Sequence, residues 1–309
     1  MIAVAEAPSK VIITGEHFVV HGAWALAAAL PRRVHVEIRP SQRFTVVSDK
    51  FGKGDSPHLS PVSRVVEGMA REYSVKATVG IRIRSAVPGG AGLGSSASTM
   101  VAVAAAFSKL NSLGLGVNEV VRCAMVGERD IHGRPSGIDP TVCAYGGVLL
   151  FRPGSLPKKL RLGAPRSLIV SYSGEPRSTR GQIDRVAKAK EKFPAHFSAL
   201  VEGISELSFA ASEALLSGNE ESLGGLLSLN QAALSSVGVS NGSLDEMVDL
   251  LCSLGCYGAK LTGAGGGGSV LAVAPEGKEK SIVSGLSARG FETFRAIIPA
   301  EGVRSWLER

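Results

Sequence analysis

From Lys76 to Arg84 apolar and polar positions alternate: Ala77, Val79, Ile81 and Ile83 face one way, and Lys76, Thr78, Arg82 and Arg84 the other. A period of two predicts a strand with one buried face. Thr99 to Leu113 is rich in Ala and Val and free of proline, which predicts a buried helix. Arg33 to Arg39 alternates again, with Val34, Val36 and Ile38 on one face, and Phe44 to Val47 is expected to be its hairpin partner. Ile2 to Ala7 and Val11 to Thr14 read as two short strands around Pro8-Ser9-Lys10. Helices are predicted at Pro61–Glu72 and Glu119–His132, the second capped by Asn118.

Around Pro153 to Pro165 the chain turns basic and loop-like, which places a boundary there and predicts domains 1–160 and 161–309. Before that boundary a strand is expected at Gly146–Phe151, and after it strands at Ser167–Ser171, Val270–Val273 and Glu292–Ile298. Helices are expected near Gly181–Lys192, His196–Ser217, Leu244–Leu254, Gly277–Ala288 and Gly302–Glu308. Strands and helices mixed in both halves make the fold class α+β.

With 44% hydrophobic residues in 309, each half has enough apolar mass for a core. No run of residues that are both uncharged and apolar is long enough to span a membrane, and the N-terminus lacks the basic start of a signal peptide. Four cysteines point to a reducing compartment; Cys252 and Cys256 lie four apart and read as buried thiols rather than half a metal site. The net charge is +7, but aromatics are only 5% and the basic residues are scattered. That pattern fits attraction of small anions better than nucleic-acid binding.

The most informative stretch is Pro88-Gly89-Gly90-Ala91-Gly92-Leu93-Gly94-Ser95-Ser96-Ala97-Ser98, between the first strand described and the buried helix. Glycines let backbone approach a ligand, and the free N–H groups of a helix start favour an anion, so a polyphosphate is the expected occupant. No Gly-Lys follows, which excludes a Walker loop. Gly92 to Ala97 nearly fits a dinucleotide fingerprint, but the second strand that fold requires is missing.

A second oddity lies on the helix after it. Val121, Ala124 and Met125 form an apolar stripe, and Glu128 is its next position. A carboxylate there is costly unless a cation meets it, either the partner of a structural ion pair or a divalent metal. His132 shares that face as a supporting group. Asp139 follows a glycine-rich turn and is either a turn cap or a catalytic carboxylate.

The glycine block resembles the phosphate loop of the GHMP kinase superfamily, P-x-x-x-G-L-G-S-S-A. Lys260-Leu261-Thr262-Gly263-Ala264-Gly265-Gly266-Gly267-Gly268 is similar to the third motif of that superfamily. Pro8 to Gly22, with Lys10, Glu16 and His17, resembles the first motif of its mevalonate kinases; Gly127 to Asp139 and Pro176 to Arg180 resemble two further runs of theirs. The departure is Pro140, where those kinases carry a small polar residue.

The resemblance implies an N-terminal domain like ribosomal protein S5 domain 2 and a ferredoxin-like C-terminal domain with the site between them. It implies a cytoplasmic kinase of isoprenoid biosynthesis using ATP and magnesium to phosphorylate the 5-hydroxyl of mevalonate. By the same resemblance Asp139 is the base and Lys10 the cation beside it, the Pro88–Ser98 loop holds ATP, and Ser96 (or Ser95) and Glu128 hold magnesium. Glu16, His17, Thr179 and Gly265 line the substrate site. Another superfamily kinase acting on phosphomevalonate or on a different hydroxyl of mevalonate, a ligand-sensing homologue without activity, and a homodimer all stay open. No membrane or nucleic-acid partner is expected.

Overall fold

The structure is a computed structural model that describes residues 1–50, 52–53, 59–175 and 179–308, without the side chains of Lys53, Thr179 and Arg180. In chain order the elements of the first half are β1 (Ile2–Thr14), a 3-10 turn (Phe18–His21), β2 (Ala25–Pro40), β3 (Thr45–Ser48), β4 (Gly52–Lys53), α1 (Ser60–Glu72), β5 (Val79–Ser85), α2 (Ser95–Leu110), α3 (Val117–His132), α4 (Ile138–Tyr145), β6 (Val148–Phe151) and β7 (Lys158–Leu160). The second half adds β8 (Arg166–Tyr172), α5 (Thr179–Lys192), α6 (Pro194–Ser217), α7 (Glu220–Ser236), α8 (Gly242–Ser253), β9 (Gly258–Thr262), β10 (Ser269–Val273), α9 (Glu279–Ser287), β11 (Glu292–Ile298) and β12 (Arg304–Glu308).

The first sheet runs β12-β1-β2-β5-β3-β4, with β6 on β2 and β7 on β6. β2 is long enough to serve two partners: Ala25–Ala28 pair with β6, and Val34–Pro40 with β5. The two short N-terminal strands expected around Pro8 are one strand. A register shift between Pro8 and Ser9, opposite Pro31 and Arg32, absorbs the missing proline N–H as a bulge. α2 is buried all round, Val101 to Phe107 without a break, because its alanines let it lie directly on β1 and β2 while α1, α3 and α4 pack around it. Each fully buried Val or Phe of this core is worth about 1.5–3 kcal/mol.

The second sheet is antiparallel in the order β11-β8-β10-β9. Its chain path β8, helices, β9, β10, α9, β11 therefore gives strand order 4-1-3-2, the split arrangement of a ferredoxin-like domain.

Four expectations are corrected. The last segment, Gly302–Glu308, is not a helix: residues 304–308 form edge strand β12, antiparallel to β1, so the C-terminus returns to the first sheet. Its side chains have no buried face, and pairing with β1 decides its state. β3 pairs in parallel with β5, not as a hairpin with β2. α3 is capped at Gly116, whose N–H donates to Glu119, while Asn118 accepts from the Tyr145 hydroxyl. Of Cys252 and Cys256, the first is exposed and the second buried.

Helix α7 was not expected, because Gly224-Gly225 sits inside it. A Cβ on Gly224 would stand 2.4 Å from the Tyr257 side chain, and one on Gly258 would stand 1.9 Å from the Gly224 carbonyl oxygen. The glycines are there so that α7 can press backbone to backbone against β9.

Candidate active site

Lys10 lies mid-way along β1, 1% exposed, and its Nζ stands 3.0 Å from Asp139 Oδ1. Burial of an ammonium needs such a partner. Its own N–H donates to the Leu93 carbonyl at 3.0 Å, which fastens β1 to the glycine loop. Asp139 opens α4 rather than sitting in a bare loop. Its carboxylate therefore faces the positive end of a helix. Pro140 follows it within the first helical turn, where the missing N–H is tolerated, so the helix accommodates this departure.

The loop from Pro88 ends at Gly94, the cap of α2 in the left-handed region at φ 74°. A Cβ there would come 2.7 Å from Lys10 Cγ, so the glycine makes room for the lysine stem as well as for any anion. Ser98 is committed internally: its Oγ donates to the carbonyls of Pro8 and Gly94 at 2.8 and 2.9 Å. Ser96 Oγ donates to Glu128 Oε1 at 2.6 Å, and Ser95 offers its carbonyl to Thr99.

Glu128 is 2% exposed, as the apolar stripe implied. His132 Nε2 lies 3.9 Å from its other oxygen. Gly127 permits this approach. A Cβ there would meet Met100 Sδ at 2.5 Å and the Pro61 carbonyl at 3.0 Å, so α3 lies flush on α2 and brings Glu128 to Ser96.

The second domain closes the site from the other side. Lys260 on β9 is fully buried and donates to Glu16 and, at 2.6 Å, to the Leu261 carbonyl. Burial pushes the Glu16 carboxyl up and the Lys260 ammonium down, and each charge partly offsets that effect on the other. His17 adopts φ 60°, uncommon for a residue with a Cβ, and its Nε2 meets the Ala264 carbonyl at 2.8 Å. Thr262 Oγ1 bonds both the N–H and the carbonyl of Ile12, at 3.1 and 3.0 Å. Ser269 Oγ donates to the Ala91 carbonyl at 2.7 Å, joining the Gly263–Gly268 run to the Pro88–Ser98 loop.

Between the domains lies a cleft of about 650 Å³ whose wall includes Lys10, Glu16, His17, Glu128, His132, Asp139 and Ala264. The expected site residues Lys10, Glu16, His17, Glu128 and Asp139 thus converge. The Pro88–Ser98 loop stands behind that wall and reaches it through Leu93 to Lys10 and Ser96 to Glu128. Gly265 packs against the Val239 carbonyl, while its neighbours Gly263 and Ala264 line the cleft. Pro176–Ser178 and the Thr179 side chain lie outside the described residues. Asn230 and Gln231 of α7 had no signal in the sequence. They accept from the Gly15 and Leu261 N–H groups at 3.1 and 2.9 Å, and so hold the Glu16 turn and the Lys260 strand.

The family model described as GHMP kinases N terminal domain matches residues 60–147, and that described as GHMP kinases C terminal matches residues 211–292. A curated mevalonate kinase of Aeropyrum pernix is 35% identical over 315 residues, covering 97% of this chain and 97% of its own. The chain belongs to the mevalonate kinase family. A curated mevalonate kinase of Pyrococcus abyssi is 33% identical over 330 residues, covering 98% of this chain and 97% of its own. The solved L. major mevalonate kinase in complex with R-mevalonate superposes with a TM-score of 0.82 at 29% identity over 96% of each chain. Family membership and the strand order agree on the two-domain GHMP kinase fold.

Proposed function

We infer that this protein is a mevalonate kinase that transfers the γ-phosphoryl group of ATP to the 5-hydroxyl of mevalonate, with magnesium, in isoprenoid biosynthesis. The observation that carries the reading is that one cleft brings together the Lys10–Asp139 pair and Glu128, the latter bonded to Ser96 of a glycine loop that stands behind the wall at a helix start. Phosphoryl transfer needs positioning and charge neutralisation more than covalent help. In this reading the Pro88–Ser98 loop holds the polyphosphate, Asp139 orients the hydroxyl and takes its proton, and Lys10 supplies positive charge at the transferring group. Glu16, His17, Thr179 and the Gly263–Gly265 backbone hold the acceptor.

Magnesium fits the donor set. Among the described residues no cluster of three or more His, Cys, Asp or Glu side chains could cage an ion. A serine hydroxyl beside one buried carboxylate is the partial oxygen site that this ion shares with phosphate oxygens and water. Bound there, the ion would neutralise phosphate charge. We assign the phosphate loop and base to a domain of residues 1–160, and the part that completes the site to residues 161–309, with β12 crossing back. Among the described residues no helix is long and apolar enough to span a membrane. The four free cysteines support the cytoplasm as its place.

Coupled ADP release with mevalonate, phosphomevalonate, homoserine and galactose tests this. Turnover is expected with mevalonate, with the others slower by roughly 10⁴, because a pocket built to pair polar groups leaves them unsatisfied with the wrong ligand. Phosphorus NMR should show a primary phosphate ester at the 5-position. A tertiary 3-phosphate, or faster turnover of phosphomevalonate, would overturn the assignment.

A further inference from the structure

Four charges run in alternating order along the back of the cleft: Lys260, Glu16, Lys10 and Asp139. Lys10 and Lys260 are both buried, and the Lys10 charge is felt by Glu16 and by Lys260 alike. Glu16 thus has two cations within electrostatic reach and is bonded to only one of them. Its second oxygen, Oε2, is buried and has no hydrogen-bond partner. A buried carboxylate in that state draws in whatever cation is free to come.

We propose that Lys260 is a positioning residue for the reaction: by holding and neutralising Glu16 it leaves Lys10 to Asp139. Lys260 does not line the cleft and does not touch the reacting atoms; it acts through Glu16 on the Lys10–Asp139 pair. The strand it stands on is held in turn by Gln231, through the Leu261 N–H, and by the bond from its own Thr262 to Ile12 of β1. Among the described residues, the charged groups that act on Glu16 are Lys260 on β9 and Lys10 on β1. The helices that pack on this turn, α6 and α7, bring Ser208 and Asn230, both uncharged, and the adjacent His17 is turned to Ala264. Removing Lys260 therefore leaves Lys10, among the described residues, as the remaining cation for Glu16. The proposal rests on the kinase reading above.

The test is the pH profile of kcat for wild type, Lys260→Met, Glu16→Gln and the double variant, with thermal melts for each. In Lys260→Met, Glu16 is harmless while protonated and competes for Lys10 once ionised. The kcat should fall about 10–100-fold, as for a misplaced catalytic group, along a limb that descends as pH rises. That limb should vanish when Glu16→Gln is added. An unchanged profile shape in Lys260→Met, with activity lost only in step with thermal stability, would overturn the proposal. Should Lys260→Met fail to fold, the double variant decides: its kcat should match that of Glu16→Gln alone, and a much lower value would also overturn it. Wild type is the control for the underlying reading, because absence of any mevalonate-dependent ADP release would sink the kinase assignment and not the role of Lys260.

Discussion

Replacing Gly94 by alanine should damage catalysis more than nucleotide binding, although Gly94 lies in the loop proposed to hold the polyphosphate. Its φ of 74° costs an L-residue about 1–2 kcal/mol. The new methyl would stand 2.7 Å from Lys10 Cγ and 3.0 Å from Cε. Overpacking of that kind adds about 1–3 kcal/mol. Lys10 has little room to yield, because it is buried, its N–H is held by Leu93 and its Nζ by Asp139. The variant should therefore lose about 2–5 kcal/mol in all, summing strain and overpacking. Displacing Lys10 by the order of 1 Å should cut kcat about 10²-fold.

The control is Gly90→Ala, at φ 73° with no atom within 4 Å of the added methyl, so it bears the strain without the clash. Coupled ADP-release kinetics and a thermal melt on both variants separate the two effects. If Gly94→Ala raised the KM for ATP but kept a kcat no lower than that of Gly90→Ala, the glycine would serve the nucleotide alone and the argument from Lys10 would be refuted.

Two further outcomes are expected. Asp139→Asn should bind both substrates within a few-fold of wild type and lose roughly 10²–10⁴ in kcat, the usual worth of a positioned base; near wild-type turnover would remove Asp139 from that role. Glu128→Gln should raise the magnesium requirement sharply and Ser96→Ala should do so too, since the two side chains share one site. A Glu128→Gln variant that lost thermal stability at unchanged magnesium dependence would instead make the carboxylate a structural partner of His132.

What could be read from the chain alone is what local pattern controls. The alternation of Val34, Val36 and Ile38 places them in the core because a strand has only two faces. The position of Glu128 on an apolar stripe announces a buried carboxylate because a helix repeats every 3.6 residues. A glycine loop before a helix favours an anion by backbone chemistry, through free N–H groups and the positive end of the helix. The assignment to mevalonate, by contrast, rested on resemblance of motifs, since spacing identifies an anion site and not which alcohol it serves.

Tertiary structure decided the rest, because the deciding contacts lie far apart in sequence. Arg304–Glu308 has no buried face of its own and becomes a strand only because β1 offers an open edge. Gly224 looks like a helix breaker until Gly258 is seen pressed against it, some thirty residues further along the chain. Lys260 and Glu16 stand 244 positions apart and read separately as a motif residue and a substrate ligand. Only the folded chain makes them one buried ion pair, since a charge's effect depends on what surrounds it in space, and periodicity along the sequence does not encode that.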